Sequence, residues 1–477
     1  MKFRHYTRFV FAFLGCSVLF GFLVMAAVYI VDPLQFYRKA EWYPPLYSKE
    51  QRYQNPGLAK NYEYDTIIIG SSMTENFVPS YVDQVMGGKT LKLSMSGSTS
   101  KEHYLIAKVA LETGKVKRII WGLDYFSMRG GPDYVRDDQG GFPYHLYDNN
   151  PLNDVKYLFN HNTLKDFATI VATSILGNRE AKNLDYLNNW DYAADYGRDN
   201  VIATWKRART MEVNYGLNED PLERVQQTFE QNIHSLIREY PDVEYMFYYP
   251  PYTVLRHHVW YELNPVRFNN QLKMKEYIFD QIGHYENVRI YDFQSEEKVT
   301  FNLDEYKDIS HHSQKINEWI IQQMAAGNYL VTADNVKQFN RELEEQVAGL
   351  DLAQFDPDYV HVFVNGVEQT MSTVPKVVAD EVFVPLRWLS EQMDVPFEWD
   401  PERKQAKVTV NGDSFVLTSD DPIAQRNGGT VQLKQAPKII DGKMMLPVRA
   451  LSPYWNLQVL WDQEARKLEI HFAKNPQ

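Results

Sequence analysis

Three short segments, far apart in the chain, contain serine, glycine, aspartate and histidine residues in an order that suits nucleophilic chemistry. Ser72 lies in the first segment, Gly97 and Ser98 lie in the second, and Asp308 and His311 lie in the third. A histidine can remove the proton of a serine hydroxyl while an aspartate fixes the tautomer of the histidine. The segments therefore predict Ser72 as a nucleophile, His311 as its base and Asp308 as the group that orients the base.

Each segment also has a simpler interpretation. A Gly-Ser-Ser run after a strand is often a plain helix cap, and an Asp-x-x-His run can cap a helix at the surface. Backbone N–H groups at a strand-to-helix turn nevertheless favour a negative charge, and a glycine lets an amide approach a ligand closely. We expect the amides of Ser72 and Gly97 to hold an oxyanion. His257 and His258 are expected on a solvated loop.

The elements that must position these residues alternate regularly. Apolar runs at residues 64–70, 89–94 and 116–123 predict buried strands, and helical patterns occupy residues 80–86 and 101–112. This alternation predicts an α/β fold with a parallel sheet, whose loops at the carboxyl ends of the strands share one edge. The pattern resumes with a helix at 222–240, a strand at 244–249, a helix at 268–283, a strand at 288–291 and a closing helix after residue 313.

Three stretches fall outside this alternation. Residues 32–60 are rich in tyrosine, proline and tryptophan and are interpreted as a spacer. Residues 125–220 are aromatic and glycine-rich, and they are too numerous for a structureless loop, so we expect a helical insertion. Residues 326–358 are charged and are interpreted as a solvated helical connector. A chain of 477 residues is expected to form two or three domains.

The N-terminus has the pattern of a membrane anchor. Residues 9–31 carry no charge and are numerous enough to cross a hydrocarbon core of about 30 Å as a helix. Basic side chains lie among residues 1–8 and Asp32 follows the run, so the positive-inside rule predicts a cytoplasmic N-terminus and an extracytoplasmic bulk. The alternative is a cleaved signal peptide that releases a soluble protein. Cys16 is the only cysteine, which excludes an intramolecular disulfide.

The three polar segments, in this order, resemble the blocks of the SGNH, or GDSL-like, hydrolases and acyltransferases over residues 61–325. The run Gly70-Ser71-Ser72 matches the block that supplies the nucleophile, and Asp308 with His311 matches the D-x-x-H block. The resemblance implies a three-layer, flavodoxin-like domain with Ser72, Asp308 and His311 as its catalytic residues. It also places Gly97 in the glycine block that helps to hold an oxyanion.

Two positions depart from the pattern of that family. The family's aspartate before the nucleophile is Ser71 here, and the asparagine of its third block is Asp124. An ionised aspartate accepts hydrogen bonds but cannot donate one to an oxyanion. Either another donor such as Ser98 replaces the asparagine, or the domain is a catalytically degenerate scaffold that binds glycan.

Residues 359–473 contain two copies of one pattern at an offset of 62 residues. A Val-Pro-Leu-Arg run ending at Arg387 recurs as Leu-Pro-Val-Arg ending at Arg449, and the Trp-Asp pair at 399–400 recurs at 461–462. We expect a small β-rich domain in which both arginines pair with backbone or carboxylate groups, and both aspartates serve turns. The copies resemble the domain first described at the N-terminus of copper amine oxidases, a stalk domain of secreted Gram-positive proteins. Histidine and cysteine ligands at usable spacing are missing, so neither a metal nor another cofactor is predicted.

Composition and resemblance together define the expected function. A formal charge of −12 argues against nucleic acid as the main partner. The resemblance implies a serine esterase or O-acyltransferase that acts on a cell-envelope polysaccharide or teichoic acid outside the membrane. The expected partners are that glycan, the lipid bilayer through residues 9–31, and an acyl-transferring membrane protein. The alternative function is that of a non-catalytic envelope scaffold.

Overall fold

The computed structural model describes residues 2–137, 141–177, 180, 183–212, 218–369, 371, 373–440 and 442–473. The chain divides into two units. The first comprises Met1–Val201, Leu217–His257 and Val266–Val347, and the second comprises Ile202–Gly216, His258–Pro265 and Ala348–Gln477. Each unit has a hydrophobic core of its own.

Helix α1 (Lys2–Val31) begins the chain. Its stretch Tyr6–Val31 is long and apolar enough to cross a membrane, and none of its most apolar window is buried inside the protein. A helix of this kind is either a membrane anchor or a signal sequence. The long apolar helix that the sequence predicts at the N-terminus is therefore confirmed.

A five-stranded sheet forms the centre of the first unit. Its strands are β1 (Thr66–Ile69), β2 (Thr90–Lys92), β3 (Arg118–Gly122), β4 (Glu244–Tyr249) and β5 (Val288–Asp292). They lie in the order β2-β1-β3-β4-β5, and every neighbouring pair is parallel. The predicted parallel sheet is confirmed, and the carboxyl ends of its strands meet at one edge.

Helices connect these strands and continue to residue 348, and local signals set their ends. Helix α4 begins with a capping box between Thr99 and Glu102, and α13 ends where Gly327 adopts the left-handed conformation. The helices are α2 (Gln51–Asn61), α3 (Pro79–Met86), α4 (Ser100–Leu111), α5 (Val155–Leu158), α6 (His161–Ile170), α7 (Arg198–Glu212), α8 (Leu222–Phe229), α9 (Ser235–Glu239), α10 (Val254–Leu263), α11 (Pro265–Ile282), α12 (Glu297–Thr300), α13 (Gln314–Ala326) and α14 (Val336–Ala348).

Two of these helices differ from the sequence expectation. Helix α2 lies in the stretch interpreted as a spacer, where an internal Pro56 and many polar residues hide any helical period, yet Leu58 is buried in the core of the first unit. The sequence predicts a solvated α14, but Leu343 and Val347 on one face of that helix are also buried. The other faces of α14 carry many charged residues. The high overall charge of the segment therefore suggested a solvated helix and concealed its narrow apolar face.

The stretch at residues 125–220 holds helices α5, α6 and α7 and several 3₁₀ turns in its described part. Residues 138–140, 178–179, 181–182 and 213–217 of that stretch lie outside the described residues. The described part of this stretch therefore contains regular helical structure.

The second unit is rich in β-structure, as predicted for the C-terminal region. Its strands are β6 (His361–Val364), β7 (Val367–Glu368), β8 (Lys376–Val378), β9 (Glu381–Pro385), β10 (Phe397–Asp400), β11 (Gln405–Val410), β12 (Asp413–Thr418), β13 (Ile423–Arg426), β14 (Gly429–Gln432), β15 (Lys438–Ile440), β16 (Lys443–Pro447), β17 (Gln458–Asp462) and β18 (Lys467–His471). Helices α15 (Leu386–Gln392) and α16 (Val448–Trp455) follow β9 and β16.

The sequence repeat is visible in these elements. In each copy a strand leads directly into a helix, β9 into α15 and β16 into α16, and a hairpin follows, β10–β11 and β17–β18. Each helix starts at the same place in the repeat, 62 residues apart. The two copies therefore have the same local structure.

Candidate active site

The three segments singled out in the sequence lie together beside the edge where the sheet strands end. Ser72 begins a 3₁₀ turn directly after β1, and His311 lies shortly before α13. The Oγ atom of Ser72 is 2.8 Å from Nε2 of His311. The Nδ1 atom of His311 is 2.8 Å from Oδ2 and 3.0 Å from Oδ1 of Asp308. These distances are hydrogen-bond distances, so the three side chains form a connected chain.

Asp308 sets the tautomer of the histidine. An ionised carboxylate only accepts hydrogen bonds, so Nδ1 of His311 carries the proton, and Nε2 of the neutral ring is left to accept from the Ser72 hydroxyl. Burial acts to raise the pKa of Asp308, but the hydrogen bond and charge of His311 and the amides of Ser310 and His311 outweigh it and hold that pKa well below its usual range. The carboxylate is therefore ionised at neutral pH.

Asp124 accepts three hydrogen bonds at this edge of the sheet. It follows β3, and its Oδ2 atom accepts from the Ser71 hydroxyl at 2.7 Å. Its Oδ1 atom accepts from the Phe126 amide at 3.0 Å and from the Tyr252 hydroxyl. All of these contacts need an acceptor, and the residue is almost fully buried. Asp124 therefore fixes the turn that carries Ser71 and the loop that carries Tyr252.

Ser98 belongs to a second buried network. Trp121 donates its ring N–H to Nδ1 of His103 at 3.3 Å, so the proton of the neutral His103 ring lies on Nε2, which faces the Ser98 hydroxyl at 2.6 Å. Ser98 in turn donates to the carbonyl of Gly70 at 3.3 Å. Burial lowers the pKa of His103 to about 3, which keeps the ring neutral. The hydroxyl proton of Ser98 is thus directed at the backbone before Ser72.

Gly97 adopts a conformation that favours glycine. Its φ of +56° lies in the left-handed region, and a Cβ atom there would collide with the Arg136 guanidinium. Within the described part of the chain, neither the Gly97 amide nor the Ser72 amide donates to an acceptor. Both residues line the pocket that holds Ser72 and His311. The two amides are therefore candidates to receive an oxyanion.

The pocket at the triad is small and contains one positively charged arginine. It has a volume of about 210 Å³. Arg256 lines it, donates from Nε to the Ser310 hydroxyl at 3.1 Å, and lies with its guanidinium carbon 5.4 Å from the centre of the Phe126 ring. The lining residues are Ser71, Ser72, Met73, Gly97, Ser98, Asp124, Phe126, Ser127, Tyr252, Arg256, Ser310 and His311.

Sequence reasoning did not assign a role at the triad to Trp190. This residue, from the aromatic stretch at 125–220, meets the His311 ring edge to face, with centroids 5.6 Å apart and planes at 86°. Its ring N–H donates to the carbonyl of Ser72 at 3.4 Å. On the same ring lies Lys307, with Nζ 3.5 Å from the centroid. Trp190 therefore contacts both Ser72 and His311, and no local sequence pattern indicates these contacts.

The expectation for His257 and His258 is wrong. Both residues lie in α10 and are buried rather than on a solvated loop. The helix follows the Pro-Pro turn after β4, and that turn made the segment resemble a loop. Burial lowers the pKa of His258 to about 4 and holds that of His257 well below its usual value, so both rings are neutral at pH 7.

The repeated residues of the second unit have separate roles. Asp400 accepts from two amides of the turn after β10, and Asp462 does the same after β17, as expected for turn residues. Arg449 pairs with Glu381 at 3.1 Å, whereas Arg387 makes no such ion pair within the described residues. In the part of the chain that the structure describes, no group of three or more His, Cys, Asp or Glu side chains is placed to hold a metal ion.

Comparisons with known proteins characterise the C-terminal region. No curated protein matches the chain. A solved structure from Streptococcus pneumonia, provisionally described as that of a platelet activating factor, is 11% identical and covers 58% of this chain and 90% of its own, with a TM-score of 0.31. That score is too low to indicate a shared fold. The copper amine oxidase N-terminal domain family matches residues 363–470. The β-rich C-terminal region is therefore a copper amine oxidase N-terminal-like domain.

Proposed function

We propose that the protein is a membrane-anchored, extracytoplasmic serine esterase or O-acyltransferase of the SGNH type that acts on a cell-envelope glycan. The single observation that carries the proposal is the continuous hydrogen-bonded chain from Ser72 through His311 to Asp308. Nucleophile, base and orienting acid lie in the order and at the distances that acyl transfer through a serine requires.

The chemistry follows from the tautomer of His311. The Ser72 oxygen attacks the carbonyl carbon of the ester while its proton passes to Nε2 of His311. The amides of Ser72 and Gly97 receive the negative charge that develops on the carbonyl oxygen. Collapse of the intermediate breaks the bond to the sugar oxygen, which takes the proton back from His311 and leaves an acyl-serine. Water, or a hydroxyl of an acceptor glycan, then repeats these steps and frees Ser72.

The pocket favours a short acyl group. Its volume of about 210 Å³ is below the roughly 300–1,000 Å³ of pockets that enclose drug-sized ligands. An acetyl or D-alanyl group fits this size class, whereas a long fatty acyl chain does not. The location outside the membrane and the glycan substrate rest on the apolar helix α1 and on the resemblance of the sequence blocks.

Replacement of Ser72 tests this function. Ser72→Ala removes the attacking oxygen and leaves every other group of the triad in place, so turnover of p-nitrophenyl acetate by the detergent-solubilised protein should fall to background. Ser80→Ala, at the start of α3, is the matched control and should keep wild-type turnover. If Ser72→Ala retains full turnover, the mechanism is wrong.

A second candidate function is a glycan-binding scaffold without catalysis. The observation that favours it is Asp124, which offers only acceptors where the family has an amide donor. A serine-reactive fluorophosphonate separates the two functions. An active triad should be labelled at Ser72 in the wild type and not in Ser72→Ala, whereas a scaffold should not be labelled in either protein. Cell fractionation with and without signal-peptidase inhibition separates the anchored form from a secreted one.

A further inference from the structure

The two repeats of the second unit pair with each other through equivalent strands. Strands β9 and β16 are antiparallel, and Val384 lies opposite Leu446, which occupies the same position of the second repeat. Two strands that face each other through equivalent residues are related by a local two-fold axis. The same register brings Arg449 towards Glu381, and the equivalent Arg387 towards the start of β16.

In one half of this arrangement the arginine has an internal carboxylate. Arg449 donates from Nε to both oxygens of Glu381, at 3.1 and 3.2 Å, and from its backbone amide at 3.1 Å. Its guanidinium also reaches the carbonyl of Asp380. The positive charge of Arg449 is therefore balanced by the negative charge of Glu381.

The other half replaces the acid with a base. The position equivalent to Glu381 is Lys443, so a lysine stands near Arg387 where a glutamate stands beside Arg449. Arg387 and Lys443 both line one cavity of about 440 Å³, within the roughly 300–1,000 Å³ typical of small-molecule sites. Burial and the charge of Arg387 lower the pKa of Lys443, whereas Glu391, also in the lining, raises it. Among the described residues that line the cavity, Arg387 and Lys443 are basic and Glu391 is acidic.

The same cavity is enriched in aromatic side chains. Trp388 and Phe397 line it, whereas the equivalent positions of the second repeat hold Ala450 and Val459. Trp399 also lines it and is half-buried. The guanidinium carbon of Arg387 lies 4.8 Å from the centre of the Phe397 ring. The cavity therefore has aromatic side chains, Trp388 and Phe397, at positions where the second repeat has aliphatic ones. It also has Lys443 at the position that corresponds to Glu381.

We propose that this cavity binds an anionic sugar residue of a glycan, with Arg387 and Lys443 on its acidic group and Trp388 or Trp399 against its ring. Guanidinium groups bind carboxylate and phosphate oxygens through paired hydrogen bonds. Aromatic rings pack on the apolar faces of sugars, and Glu391 can accept from sugar hydroxyls. The choice of a sugar over other anions rests on the proposed function at Ser72.

Binding of defined oligosaccharides to the full-length, detergent-solubilised protein tests the site. Galacturonate oligomers, a phosphate-bearing wall teichoic acid and neutral galactose oligomers are titrated, with tryptophan fluorescence and calorimetry as readouts. We expect at least one anionic probe to bind at least about tenfold more tightly than the neutral oligomers. The two anionic arms distinguish carboxylate from phosphate. Equal or weaker binding of both anionic probes would overturn the proposal.

Four variants assign the binding to the cavity. Arg387→Gln, and Lys443→Glu, which restores the acid found in the other half, should each weaken binding by about tenfold or more. Arg387→Lys keeps a charge and should retain part of the affinity. Arg403→Gln, on the exposed turn after β10, is the matched control and should bind as the wild type does. If Arg387→Gln and Lys443→Glu keep their unfolding temperature and full affinity, the site is wrong.

Ester turnover separates this proposal from the function at Ser72. Arg387→Gln and Lys443→Glu should hydrolyse p-nitrophenyl acetate at the wild-type rate, and Ser72→Ala should bind the anionic probe normally. Loss of binding in Arg387→Gln together with retained turnover in Ser72→Ala would refute the esterase and keep the glycan site. Loss of turnover in Ser72→Ala together with unaltered binding in Arg387→Gln would refute the glycan site alone.

Discussion

Replacement of Asp308 by asparagine tests the tautomer on which the proposed mechanism depends. Oδ1 of Asp308 accepts from the amides of Ser310 and His311 at 2.8 and 2.9 Å, so an asparagine is expected to keep its oxygen there. Its NH₂ group then takes the place of Oδ2 and faces Nδ1 of His311. A donor at that place requires Nδ1 to accept, which moves the proton to Nε2, where the Ser72 proton has to go.

Asp308→Asn is expected to lower kcat strongly and to change the free energy of unfolding only slightly. A triad with the wrong histidine tautomer loses about 10⁴-fold in kcat, which corresponds to about 5.5 kcal/mol of activation free energy. The two amide hydrogen bonds survive in Asp308→Asn, and replacement of the charged acceptor that faces His311 by a neutral donor costs about 1–2 kcal/mol of folding free energy. A loss of activity without unfolding is therefore expected.

Turnover of p-nitrophenyl acetate and the thermal unfolding temperature, measured on the same purified samples, check this prediction. Asp304→Asn is the matched control, because Asp304 is an exposed carboxylate of the same loop, and that variant should keep wild-type kcat. Asp308→Asn should also lose its labelling by a fluorophosphonate. The tautomer argument is refuted if Asp308→Asn keeps kcat within about tenfold of the wild type.

Three further predictions concern the surroundings of the triad. Trp190→Phe keeps an aromatic ring but removes the N–H donated to the Ser72 carbonyl, and kcat/KM should fall about fivefold, the equivalent of about 1 kcal/mol. The pKa of His103 is lowered to about 3 in the folded protein, so stability is lost as the pH falls from about 6.5 towards about 3, because the unfolded chain then binds a proton that the folded protein excludes. In His103→Gln, the free energy of unfolding measured between these pH values should fall by about 5 kcal/mol less than in the wild type. Ser71→Asp should set two carboxylates against each other and cost about 4 kcal/mol, which lowers Tm. Addition of Asp124→Asn should recover most of that loss, and no recovery in the double variant would contradict the pairing.

Much of the fold of the first unit could be predicted from the sequence, because its strands are short apolar runs between polar turns. The run ending at Gly70 and the one around Trp121 are buried on both faces of a parallel sheet, so their residues are almost all apolar and easily recognised. Helix α2 was missed for the opposite reason. Its buried positions include Gln51, Gln54 and Asn55, which are satisfied by hydrogen bonds that a hydropathy pattern cannot reveal.

The candidate site also contains residues that the sequence predicts and residues that it does not. Ser72, Asp308 and His311 could be proposed because each stands in a short local segment whose order along the chain is informative. Trp190 could not be assigned, because it reaches the triad from a long stretch without periodicity, and no local pattern states where such a stretch folds back. Arg387 was expected to be structural like Arg449. The pairing of β9 with β16 shows that Arg449 lies beside Glu381, whereas the residue equivalent to Glu381 on the side of Arg387 is Lys443.

The two positions at which the sequence departs from the SGNH-type blocks that it resembles contact each other directly. Ser71 stands where the family has an acid and Asp124 where it has an amide, and in this protein the two side chains are hydrogen-bonded to each other. This hydrogen bond holds the turn before Ser72, and an ionised Asp124 gives the pocket a hydrogen-bond acceptor rather than a donor. In the proposed mechanism, stabilisation of an oxyanion therefore falls on the backbone amides of Ser72 and Gly97, with Arg256 as the nearby positive charge.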